Sequence, residues 1–138
     1  MAAFPQSNRL SAYQSVAAHG GVAAADPHQL IVMLLDGALE RVAKARGAMQ
    51  HGAMAEKGRL LHKAVEILDE LQASLNAEAG GALAANLGDL YDYIARQLMS
   101  ASLQNSPERL DEAARLLREI RGAWVSIAPT ARPARAVP

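Results

Sequence analysis

Residues 74–98 read SLNAEAGGALAANLGDLYDYIARQL. The stretch holds the end of one amphipathic helix, a Gly-Gly reversal at 80–81 and most of a second helix. Tyr91 and Tyr93 lie two residues apart on that second helix. Side chains so spaced point about 200° apart, so one tyrosine faces away from whatever the other packs against. The pair therefore asks whether the bundle has one apolar surface or two, with Tyr91 and Tyr93 flanking the core stripe of the helix on opposite sides. Tyrosines at such borders bury the ring and keep the hydroxyl wet.

Working outward, the helix that ends in this stretch is expected over 54–77, with a stripe of Leu60, Ala64, Ile67, Leu68, Leu71 and Leu75. The helix after the Gly-Gly reversal is expected over 82–103, with Leu83, Leu87, Leu90, Ile94, Leu98 and Ala101 in register. Asn86 falls at the edge of that stripe. Upstream, Asp26-Pro27 supplies an N-cap carboxylate and a proline at the first helical position. It starts a helix over 27–50 with Ile31, Leu34, Leu35, Ala38, Val42, Ala45 and Met49 on one face, and His51-Gly52 ends it. Downstream, Ser106-Pro107-Glu108 starts a fourth helix to about 127, carrying Leu110, Ala113, Leu117, Ile120 and Trp124.

Four helices of about 20 residues with short connections predict an all-α, antiparallel up-down-up-down bundle over 26–128. Leu10, Tyr13 and Val16 form an apolar strip before Gly20-Gly21, so residues 1–25 are expected to add a short helix or lid. The proline-, alanine- and arginine-rich residues 129–138 are expected to be a disordered tail.

Composition agrees with close-packed helices: 30 of the 138 residues are alanine and five are aromatic. The formal charge is zero and the basic residues are scattered, which argues against a nucleic-acid partner. Cysteine is absent, so no disulfide framework or thiolate site is expected. The longest aliphatic run, Leu30 to Leu35, is six residues against the roughly 20 that a membrane span needs. The N-terminus MAAFPQSNRL has no signal-peptide pattern, so a cytoplasmic protein is expected.

That run, LIVMLL, covers nearly the whole circumference of its helix. Either the helix is central and touches neighbours on several sides, or Leu30 and Met33 line a second apolar surface for a lid or partner. Catalytic groupings are not expected. No phosphate-binding glycine loop, Ser/His/Asp set or paired carboxylates in an apolar setting can be assembled, and the acids read as solvated. Of His19, His28, His51 and His62, none is set in a Glu-x-x-His metal pattern, and no cofactor is expected. A phospho-accepting His62 would make this a phosphotransfer bundle, but a histidine on a polar helix face is ordinarily just solvated.

In order along the chain come Met33-Leu34-Leu35-Asp36-Gly37-Ala38, then Ser74-Leu75 with Glu78 and Gly80-Gly81, then Asn86-Leu87 with Leu90-Tyr91-Asp92-Tyr93, and finally Leu116-Leu117 through Arg121 to Trp124. Together with Tyr13, Val16 and Pro27-His28-Gln29-Leu30, this series resembles the FliS family of flagellin-specific secretion chaperones over about residues 10–127. Leu35, Asp26 and Asn76 depart from the residues common there, which are tyrosine, serine and aspartate.

The resemblance implies a cytoplasmic chaperone, not an enzyme. It would bind the disordered C-terminal segment of flagellin, prevent premature polymerisation and support delivery to the flagellar type III export apparatus. An amphipathic client seated in a groove on the bundle fits that role. The expected groove positions are Leu30, Met33 and Leu34 on the first helix, Leu68, Leu71 and Leu75 on the second, and Leu87, Tyr91 and Ile94 on the third. Leu10, Tyr13 and Val16 are the expected lid. The free protein is expected to be a monomer or weak homodimer. The competing reading is a structural or regulatory four-helix module with another helical partner.

Overall fold

The computed structural model describes the backbone of residues 26–78 and 81–136 and the side chains of residues 26–75 and 81–126. The expected lid residues Leu10, Tyr13 and Val16, with the rest of 1–25, lie outside the described residues. Four helices follow: α1 (Pro27–Gln50), α2 (Met54–Glu78), α3 (Gly81–Gln104) and α4 (Pro107–Ala136).

Their ends have local causes. The Asp26 carboxylate accepts from the Gln29 amide at 2.9 Å, and Pro27, which has no amide hydrogen to leave unpaired, takes the first helical position. Beyond α1 the chain turns through Gly52 at φ +74°, a conformation that glycine adopts without steric cost. Asn105, at φ +49°, ends α3, and the Ser106 hydroxyl then accepts from the Arg109 amide at 3.3 Å to open α4.

The helices form a ring in which α1 and α3 each lie against α2 and α4, with the α1–α2 seam the most extensive and α3–α4 the least. Cross-helix partners run in opposite senses. Along α1, Asp36 and then Arg46 meet Arg121 and then Asp111 of α4. Along α2, Lys57 and then Gln72 meet Ser102 and then Gly88 of α3. Neighbours are therefore antiparallel, as the short connections require.

The core is built from the expected stripes of α1, α2 and α4, and from Tyr91, Ile94, Leu98 and Ala101 of α3. Burying some twenty apolar side chains is the dominant favourable term of folding. The exposed ion-pair forks Arg46–Asp111 and Arg121–Asp36 bridge the α1–α4 seam, where solvent screens them and leaves little net stabilisation. The Arg46 guanidinium, by hydrogen bonding, holds the Asp111 carboxyl below its ordinary range.

Three features differ from expectation, and a fourth is one for which the sequence sets none. Helix α4 continues to Ala136, although its end is expected near 127 and a tail from 129. Alanine and arginine between Pro129 and Pro133 favour helix, while each proline removes one backbone donor from these last turns. Leu83, in register with the α3 stripe, is 56% exposed, because the first turns of α3 stand off the bundle. Glu70, expected on a solvated face, is 1% exposed because position 70 sits one turn from Ile67 on the core-facing side.

The fourth is Lys57, which is buried and donates to the Ser102 carbonyl at 2.7 Å and to Asn105 Oδ1 at 2.9 Å. A cation is thereby placed on the unpaired carbonyl end of α3. Lys57→Met is expected to cost about 1–3 kcal/mol, since both acceptors lose a charged donor in a buried setting. The check is urea denaturation, in which the midpoint falls at unchanged slope.

Candidate apolar groove

The two halves of the α3–α4 seam differ in chemistry. Where the C-terminal half of α3 meets the start of α4, the contacts are polar. Glu112 accepts from the Tyr93 hydroxyl at 3.0 Å and from Gln97 Nε2 at 2.6 Å, and Arg109 donates to Gln97 Oε1 at 3.1 Å. The hydrogen bond to Glu112 raises the Tyr93 phenol above its ordinary pKa. Where the first turns of α3 meet the far half of α4, no such network is present among the described residues. The space between the helices is instead an apolar groove of about 390 Å³, lined by Leu83, Leu87, Ile120, Ala123 and Trp124 with Glu119 at its edge.

Local sequence explains the opening. Gly88 faces α2, where a Cβ would lie 3.7 Å from Gln72 Oε1, so the close approach of α3 is to α2. Gln72 of α2 donates to the Gly88 carbonyl at 3.0 Å and to the Asp92 carboxylate at 2.9 Å, so α3 is tied on its α2 side rather than on its α4 side. A smaller cleft of about 190 Å³ lies on the α2 side of α3, nearer its C-terminus. Its lining includes Leu61, Val65, Leu98, Met99 and Leu103, and Leu103 is 84% exposed.

The structure distributes the nine expected groove residues unevenly. Leu34, Leu68, Leu71, Leu75, Tyr91 and Ile94 are buried members of the contiguous core. Leu30 is also buried but stands apart from that core, as a residue off the main stripe should. Met33 is half-buried. Leu87 alone of the nine lines the α3–α4 groove. Tyr91 is 1% exposed, and burial pushes its phenol up to about 12, so it is a core residue rather than a border one with a wet hydroxyl. Tyr93 is the outward member of the pair, as the spacing of about 200° requires.

Periodicity assigns Leu83, Ile120 and Trp124 to packing and gives Ala123 no role. A stripe marks apolar surface, and it reads the same whether a neighbouring helix covers it or leaves it open. Asn86 is exposed. His62 is exposed and pairs with Glu66 at 3.1 Å one turn on. Among the described residues no group of three or more metal-ligating side chains comes together, and no helix is long and apolar enough to cross a membrane.

Comparison with known proteins adds to this geometry. A family model described as "Flagellar protein FliS" matches residues 9–131. The chain is 44% identical to the flagellar secretion chaperone FliSB of Pseudomonas aeruginosa, over 83% of this chain and 91% of that one. It is 42% identical to the flagellar secretion chaperone FliS of Salmonella typhimurium, over 88% and 91% of the two chains. For the FliS of Vibrio cholerae the identity is 40%, over 87% and 88%. With the ordered motifs, the four-helix ring and these matches along nearly the whole bundle, the chain belongs to the FliS family of flagellar proteins.

Proposed function

We propose that this protein is a cytoplasmic flagellar secretion chaperone that holds the C-terminal segment of flagellin before it polymerises and supports its delivery to the type III export apparatus. The observation that carries this reading is the open apolar groove between α3 and α4 in a chain of the FliS family. A folded monomer ordinarily covers such surface, and an amphipathic helix covers it well when its apolar positions recur at three- and four-residue spacing.

A disordered client spends conformational entropy on ordering, so one groove of this size gives weak binding by itself. The second cleft lies on the other side of α3, and a client wound around that helix reaches both. Of the nine expected contact positions, Leu87 touches the client directly, and the half-buried Met33, on α1, lies outside both clefts. The buried seven act by holding α1, α2 and α3 in place, unless the bundle opens. When empty, the same apolar surface supports weak self-association.

The strip Leu10, Tyr13 and Val16 serves as a lid that the client displaces, with Gly20-Gly21 as its hinge. Deleting residues 1–18 is therefore expected to leave client affinity unchanged or to tighten it, and to increase self-association of the free protein. The checks are peptide titration and analytical ultracentrifugation. Loss of client binding on that deletion would make the strip part of the site instead.

A further inference from the structure

The far wall of the groove is held by a residue that does not line it. Trp124 is the single tryptophan of the chain and forms one side of the α3–α4 groove. Its indole stacks on the imidazole of His28, in the first turn of α1, with ring centroids 5.3 Å apart and planes inclined by 13°. Two hydrogen bonds close the contact from both sides. Trp124 Nε1 donates to the His28 carbonyl at 3.3 Å, and His28 Nε2 lies 2.6 Å from the Trp124 carbonyl. A carbonyl only accepts, so this Nε2 carries a proton. His28 itself is 8% exposed.

An indole at the lip of an open groove is ordinarily free to change rotamer, and any partner that needs it as a wall must first immobilise it. Ordering a side chain on binding costs roughly 0.5–1.5 kcal/mol, equivalent to about 2- to 13-fold in affinity. Here the freezing is done in the free protein, by a histidine on a helix that contributes nothing else to the groove. Asp26 and Pro27 fix the first turn of α1 and thus the place of His28. The Asp36–Arg121 fork, farther along α1, bridges the same α1–α4 seam.

We propose that His28 is a positioning residue for client binding: its stacked ring holds the Trp124 indole as a preformed wall of the α3–α4 groove. This inference rests on the groove being the client site, as proposed above. The stack is the part that positions the indole; the Nε2 bond to the Trp124 carbonyl ties α1 to α4. The two are separable, because His28→Phe keeps a stacking ring and removes the tie, whereas His28→Ala removes both.

The test titrates the full-length chain and both variants with a peptide of the flagellin C-terminal segment. Acrylamide quenching of Trp124 emission is measured in parallel, at a temperature where circular dichroism shows all three folded. His28→Ala is expected to weaken binding about tenfold and to make Trp124 more accessible to acrylamide. His28→Phe is expected to stay within about threefold of the parent chain and to keep the indole shielded. If His28→Ala binds as tightly as the parent chain, the inference is overturned while the groove reading stands. If His28→Phe is as weak as His28→Ala, the tie and not the stack matters, and the positioning role is overturned. If the parent chain itself does not bind the peptide, the functional reading fails and the inference falls with it.

Discussion

Leu83→Asp combined with Ala123→Asp is expected to abolish flagellin binding, weakening it by more than about 100-fold, while leaving the bundle folded. Both side chains face the α3–α4 groove and both residues are exposed in the free protein, so neither substitution empties the core. An aspartate at 83 sits near the start of α3, where a negative charge is favourable to the helix dipole. At 123 the cost is mainly helix propensity, below about 1 kcal/mol. In the complex, by contrast, two carboxylates would be buried against an apolar helix with Glu119 already at the edge and no basic residue in the lining. Desolvating an unpaired carboxylate costs several kcal/mol, and about 2.7 kcal/mol corresponds to 100-fold. Circular dichroism and thermal melting check the fold, and peptide titration checks the binding. Unchanged binding would place the client elsewhere on the bundle.

Tyr91→Ala is expected to do the opposite, destabilising the fold by about 3–5 kcal/mol. Tyr91 is among the largest side chains with almost no exposed surface, in contact with the contiguous core. A domain of this size has a total stability of roughly 5–15 kcal/mol, so the variant loses a large part of it. Binding then falls only as far as folding falls, and client added in excess recovers some of the lost stability by mass action. Tyr91→Phe keeps the ring and is expected to cost less than about 1.5 kcal/mol. Denaturation with and without peptide separates the cases. If Tyr91→Ala melted like the parent chain and still lost the client, Tyr91 would be a contact residue and not a core one.

These two predictions divide the groove from the core, a division the amino-acid sequence does not contain. Helix positions were legible because caps and breakers are local. Asp26-Pro27, Ser106-Pro107 and the glycines at 52 and 81 each act within one turn. The stripes of α1, α2 and α4 were legible because each has one broad apolar face. The start of α3 was not, because Leu83 and Leu87 keep the core period while α4 fails to reach them. Only the three-dimensional spacing, in which the start of α3 is tied to α2 through Gln72 and Gly88, turns that stripe into an opening.

Long-range polar contacts were hidden for a similar reason. Lys57 gives no sign in sequence that it caps a helix 45 residues away, and His28 reads as an ordinary helix-start histidine until Trp124 is seen against it. The tyrosine pair was informative but assigned too evenly. Spacing alone says that one member faces away, and the ring of helices decides that Tyr91 is the buried one and Tyr93 the outward one.

The most direct test of the account is isothermal titration of the full-length protein with the C-terminal segment of flagellin from the same organism, at several temperatures, with parallel circular dichroism. The account predicts saturable one-to-one binding, a negative heat-capacity change from apolar burial and a gain of helix as the client folds onto α3 and α4. No heat and no gain of helix at tens of micromolar client would contradict it, leaving a FliS-family bundle whose groove serves a different partner.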